Sequence, residues 1–119
     1  MSPRLFALAA SLAFIAIPAS AEDMQMDMSK PMGDHSPSSH AFAAANDKMH
    51  KDMMVDYSGN ADVDFVRGMI PHHQGAIDMA KVELKYGKDP EIRKLAEGVI
   101  KAQEAEIAEM QAWLKKHAK

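Results

Sequence analysis

Four side chains in the run FVRGMIPHHQGAIDMA carry soft or borderline lone pairs at helical spacing: Met69, His72, His73 and Met79. At 100° per residue they fall, with Phe65, Ala76 and Ala80, inside one sector of about 120°, so two thioethers and two imidazoles share a helix face. His73 lies deep in the apolar sector that also holds Val66, Ile70, Ile77 and Leu84, while His72 and Met79 sit at its edge. An earlier stretch, KMHKDMM, repeats the chemistry: Met49 and Met53 are i, i+4 on an apolar stripe, and His50 and Met54 are i, i+4 beside it. Thioether sulfur is soft and uncharged and favours Cu(I), whereas imidazole serves copper in either oxidation state as well as zinc and nickel. The mixed set points to copper, with Cu(I) preferred and Cu(II) accommodated. Magnesium, calcium or manganese would call for clustered carboxylates, and the acidic residues here are mostly scattered over polar faces.

The same residues have a plainer reading, in which methionine fills an irregular core and the histidines are hydrogen-bonded core residues. Recurrence weighs against it. Met24, Met26 and Met28 alternate in the polar segment EDMQMDMSKPMGDHSPSSH, followed there by Met32, His35 and His40, and that segment has no core to fill. Further along, Gln103 and Glu106 interrupt an apolar stripe, with Met110 two turns beyond Gln103. A buried amide or carboxylate needs a partner. Two roles stay open for this pair: orienting or joining the imidazoles at a metal, or an interhelical hydrogen bond with no metal.

Three helical stretches must position these groups. The first is expected from about Ala41 to Val55, with Phe42, Met49 and Met53 on one stripe. The second runs from Asp62, read as an N-cap, to about Tyr86, closed by Gly87 with Lys85 and Lys88 near its end. Pro71 either kinks this helix or begins it, and Gly68 and Gly75 leave room for a close neighbour. The third starts at Asp89 and Pro90 and continues to about Lys116, carrying Ile92, Leu95, Ala96, Val99, Ile100, Ile107, Met110, Trp113 and Leu114 on one face. The short link from Gly87 to Asp89 makes the last two an antiparallel hairpin. The expected fold is all-α, a small antiparallel helical bundle with a long C-terminal hairpin and a shorter N-terminal helix. With so short a first helix, a partner chain is one way to close the core, a homo-oligomer among the options.

Upstream, Arg4 precedes an apolar run from Leu5 to Ile17, followed by Pro18 and Ala19-Ser20-Ala21, the three-part pattern of a secretory signal peptide cleaved after Ala21. The run is too short for a bilayer span, which needs about 20 residues, so no membrane insertion is expected after cleavage. Residues 1–21 then form the signal, 22–40 a disordered Met/His-rich arm and 41–119 the helical domain. The expected location is periplasmic or secreted. Eleven methionines and six histidines stand against no cysteine, which leaves the thioether as the available sulfur ligand. A net charge of −3 provides no footprint for nucleic acid or anionic lipid.

The string DVDFVRGMIPHHQGAIDMA from Asp62 to Ala80, with QEAEIAEMQAWL from Gln103 to Leu114, resembles the exported domain-of-unknown-function family 305. The resemblance covers roughly Met49 to Leu114 and implies a ferritin-like helical fold and periplasmic copper binding, with a role in copper tolerance, buffering or delivery. It implies that Met49, His50, Met53, Met54, Met69, His72, His73, Met79, Glu106 and Met110 are the metal-site residues, with Gln103 and Trp113 also on the family pattern. Copper ions and a periplasmic copper-exporting or copper-accepting protein are the partners it implies.

Three rival functions need other features. The chain lacks Cys and Thr and has no Ser after Ser58, so the hairpin lacks a usual nucleophile; paired Glu-x-x-His motifs and H-E-x-x-H are also missing, and no enzyme is expected. Haem b held by Met and His, without C-x-x-C-H attachment, is one alternative, and a purely structural oligomerising module is another.

Overall fold

The computed structural model describes residues 27–118, and it is all-helical there: α1 Pro37–Met53, α2 Ala61–Tyr86 and α3 Pro90–His117. The signal peptide expected over residues 1–21, together with Met24 and Met26, lies outside the described residues.

Helix α1 begins at Pro37, four residues before the expected start. Proline at the first helical position gives up only an N–H that has no partner there, so Pro37 initiates the helix instead of breaking it. Asp34 completes the start: its carboxylate accepts from the Ser36 N–H at 3.0 Å and the Ser39 hydroxyl at 2.7 Å. The Ser36 side chain most, then the Ser39 hydroxyl and the Ser36 N–H, hold the Asp34 pKa down at about 2. His40, assigned above to the arm, therefore belongs to the first turn of α1. The helix stops at Met53, and Met54 is left as an exposed cap.

The cap of α2 is Asn60, not Asp62. The Asn60 side chain accepts from the N–H groups of Asp62 and Val63. Asp64, one turn in, reaches back to accept from the Ser58 N–H at 2.9 Å, the Ser58 hydroxyl at 2.8 Å and the Gly59 N–H at 3.2 Å. These bonds lower its pKa, those to Ser58 most. Gly59 takes φ +86°, a backbone angle that disfavours any side chain, so the turn into α2 requires it. Pro71 is inside a continuous α2 and does not start it.

Asp89 caps α3 as expected, accepting from the Glu91 and Ile92 N–H groups. The hairpin turn is tied from within by Arg93, whose guanidinium donates to the carbonyls of Leu84 at 2.7 Å and Gly87 at 2.9 Å. One cation thereby satisfies two carbonyls that the end of α2 leaves without helical partners.

Helix α1 packs on α2, α3 packs on α2, and α1 and α3 do not meet. The core is correspondingly thin. Among the described residues Ile77 is the one large side chain that is fully buried; Val63 and the alanines 43, 45, 80 and 96 supply the rest. The apolar stripe expected on α3 is real as a pattern, but only Ala96 in it is buried, and Ile92 and Leu95 are exposed. Val99, Ile100, Ile107, Met110, Trp113 and Leu114 are half-buried, and Ile92 and Leu95 stay exposed because α1 lies against α2 and not against α3.

Candidate metal centre

Gly75 marks the joint between α1 and α2. A Cβ added there would stand 2.5 Å from the sulfur of Met49, 2.8 Å from its Cγ and 3.0 Å from its Cβ, so the Met49 side chain occupies the place a larger residue would need. On the surface of α2 the residues three before and four after Gly75 are His72 and Met79, each roughly 5–6 Å away in Cβ terms. Helical side chains lean toward the preceding turn, which tilts Met79 toward Gly75 and hence toward the Met49 sulfur. One thioether from α1 and one from α2 thus converge on Gly75, with the exposed imidazole of His72 one turn before it and about two turns from Met79. Three neutral donors of that kind match Cu(I) in softness and carry no charge that must be balanced.

His73 is built differently. Its Nε2 lies 2.5 Å from Oε2 of Glu106 on α3, and its ring is mostly buried while Glu106 stays half exposed. With Nε2–H donating to that carboxylate, Nδ1 keeps a lone pair. Nδ1 is buried and has no hydrogen-bond partner. A metal-ligating histidine characteristically hands its other N–H to a carboxylate, which fixes the tautomer and raises the basicity of the free nitrogen. His73 and Glu106 have that form, and Met69 stands one turn before His73 on the side toward which its ring leans. Of the two acceptors open on α3, it is Glu106 that takes the contact.

The remaining residues on the family pattern are more scattered. Met53 is half-buried one turn after Met49; His50 and Met54 are exposed, Met54 at 84 %. Met110 lines a hollow with Phe65, Val66 and Trp113 at the far end of the hairpin. Trp113, on the apolar stripe of α3, is half-buried and stacks its ring on His117 at 4.4 Å and 13°, while His117 Nδ1 donates to the Trp113 carbonyl. The i, i+4 spacing of Trp113 and His117 was a signal for that pair that sequence reasoning missed. In the N-terminal segment Met28 and Met32 line a hollow against Phe42, and the exposed rings of His35 and His40 approach to 5.7 Å. Among the described residues no group of three or more His, Cys, Asp or Glu side chains gathers as a metal cage.

Three helices among the described residues, with thioethers and imidazoles along them, make a small helical bundle the class defined by this geometry. The chain belongs to the family described as Domain of unknown function (DUF305), whose profile matches residues 16–114. It is also similar to the uncharacterized protein L153 of Acanthamoeba polyphaga mimivirus, with 45% identity over 53 residues. That match takes in 44% of this chain and 35% of the relative, so the shared segment spans about a third of the relative's length.

Proposed function

We propose that this protein binds copper, Cu(I) in preference to Cu(II), through methionine and histidine side chains at the α1–α2 joint and along α2. In this reading it works outside the cytoplasm, in the periplasm or as a secreted protein, and serves copper tolerance, buffering or delivery to a copper-exporting or copper-accepting partner. It is a binding protein and not an enzyme.

The observation that carries the reading is the Met49 side chain seated over Gly75, a position flanked along α2 by His72 one turn before and Met79 one turn after. A packing role alone would be met by any apolar side chain there, whereas the positions around the glycine offer two sulfurs and an imidazole together. His73 supplies an independent argument, since an unpartnered buried nitrogen costs free energy unless something accepts its lone pair. Copper on Nδ1, with Glu106 behind the ring and Met69 beside it, would remove that cost.

The test is an anaerobic Cu(I) titration of the exported protein against a competing chelator, repeated on a chain shortened to begin at Pro37. Retention of tight binding in the shortened chain supports helical sites. Loss of all binding with the N-terminal segment places the metal there instead, and absence of Cu(I) binding in both overturns the proposal.

A further inference from the structure

The α2–α3 hairpin has one long side that nothing among the described residues covers. Phe65 projects from it at the end where α2 begins, 64 % exposed, and Leu95 and Ile92 project at the opposite end, 62 % and 47 % exposed. Each projection stands beside a hollow in the same seam. At the first end the hollow lies between Phe65, Val66, Met110 and Trp113, with the carboxylates of Asp62 and Glu109 also on its lining. At the other it is floored by the small residues Ala76, Ala80 and Ala96 and walled by Met79, Leu95 and Val99.

We propose that this side is the interface of a two-fold dimer, in which a second copy lays its own hairpin antiparallel across the first. A two-fold axis through the middle of the seam exchanges the ends. The Phe65 of each copy then arrives over the other copy's alanine-floored hollow, and each Leu95 arrives over the hollow beside Phe65 and Trp113. The surface is complementary to itself, which is what an isologous contact requires.

Size agrees with this occupant. Helices of 26 and 28 residues are each about 40 Å long, and side by side they are about 20 Å wide, giving a footprint of roughly 800 Å² per copy, the usual share for one partner in a stable interface. The nearly equal lengths let two hairpins overlap end to end. The need is equally plain, because Ile77 is the one fully buried large side chain among the described residues, and a four-helix layer would bury the stripe that α1 leaves bare. This inference uses packing alone and stands whether or not the protein binds copper.

Sedimentation of the metal-free exported protein across a concentration series tests it. A dimer with Kd at or below ~1 μM is expected, within the range for interfaces of this area. Leu95→Glu and Phe65→Glu should each weaken association at least ~100-fold, since each would bury an unpaired carboxylate, with helicity unchanged because both sites are exposed in the single chain. Phe42→Glu, on α1 and away from this side, should leave the dimer intact. The chain has no cysteine, so mixing Phe65→Cys with Leu95→Cys protein should produce a mixed disulfide between chains in preference to either self-pair. A monomer throughout, whether the side stays bare or is taken by the chain's own N-terminal segment, overturns the proposal. So does an oligomer indifferent to Leu95→Glu and Phe65→Glu.

Discussion

Replacing Gly75 by alanine tests the α1–α2 joint with a single methyl group. Two opposing effects act. Alanine in a helix interior is favoured over glycine by roughly 0.5–1 kcal/mol, because the unfolded chain has less freedom to lose. Against that, the new Cβ would meet not only the Met49 sulfur at 2.5 Å but also its Cγ at 2.8 Å and its Cβ at 3.0 Å. The sulfur could swing aside; the Met49 Cβ moves only if α1 itself moves. Overpacking of that kind costs about 1–3 kcal/mol. Gly68→Ala is the matched control, for it lies in the same helix with nothing within 4 Å of its added Cβ. It should gain the full helical preference of roughly 0.5–1 kcal/mol. Urea unfolding followed by far-UV circular dichroism should therefore separate the two variants by about 1–3 kcal/mol, with Gly75→Ala the weaker. The gap should close when Met49→Ala is added to both, since the methyl group then has space. Cu(I) affinity should fall at least tenfold, about 1.4 kcal/mol, in Gly75→Ala and stay unchanged in Gly68→Ala. Equal stability of the two variants would refute the seating of Met49 over Gly75, and with it the geometric basis of the site.

Met69→Leu combined with Met79→Leu nearly conserves volume and should cost under about 1.5 kcal/mol per site; helicity is expected to survive while Cu(I) affinity falls at least tenfold in the chelator competition, and unchanged affinity would make these sulfurs core filler. Nitrogen NMR of the neutral imidazoles should find His73 as its Nε2–H tautomer, shifting toward a mixture in Glu106→Ala; an Nδ1–H form in the unsubstituted protein would contradict the pairing with Glu106. Asp34 has its pKa depressed to about 2 in the folded chain, so its contribution is complete above the ordinary carboxylate range and is lost as pH falls through the folded value. The first turn of α1 should accordingly fray as pH falls from about 4 to 2 in backbone NMR shifts of Ser36 to His40, and Asp34→Ala should abolish that step. Mass spectrometry of the exported protein should give Glu22 as its first residue, and finding Met1 retained there would refute cleavage after Ala21.

The parts of this fold that were legible in the sequence are those decided locally. Asp89-Pro90 can start a helix and do little else, and three residues between two apolar periodicities leave no topology but a hairpin. Local ambiguity explains the two misplaced starts. Asn60 and Asp62 both offer a capping oxygen, and only the hydrogen bonds to Val63 and Asp62 choose between them. Pro37 reads as a breaker or an initiator depending on whether its neighbours follow it into the helix. The His73 contact was half legible, because the imidazole on the apolar face of α2 and the polar break on α3 were both visible, but choosing Glu106 over Gln103 required the register between two helices at residues 33 apart in sequence. Met49 over Gly75 was out of reach, since the glycine announces space without saying which distant side chain takes it. The exposed stripe on α3 was missed for a similar reason: periodicity reports that a face is apolar, and the path of another helix decides whether it is covered.

Because α1 packs on α2 and does not meet α3, it can lift away without breaking the contacts between the two helices of the hairpin. Such sub-global opening requires less free energy than unfolding the whole chain, and hydrogen exchange would register it as a separate, faster class of amides over Pro37–Met53. Met49 travels with α1, so each opening withdraws one sulfur and leaves His72 and Met79 behind on α2. A metal bridging the two helices would slow the opening, and its departure would need only the opening of one hinge. The looseness that makes the core thin thereby provides an exit, and the stability of one helix end would set the residence time of the ion.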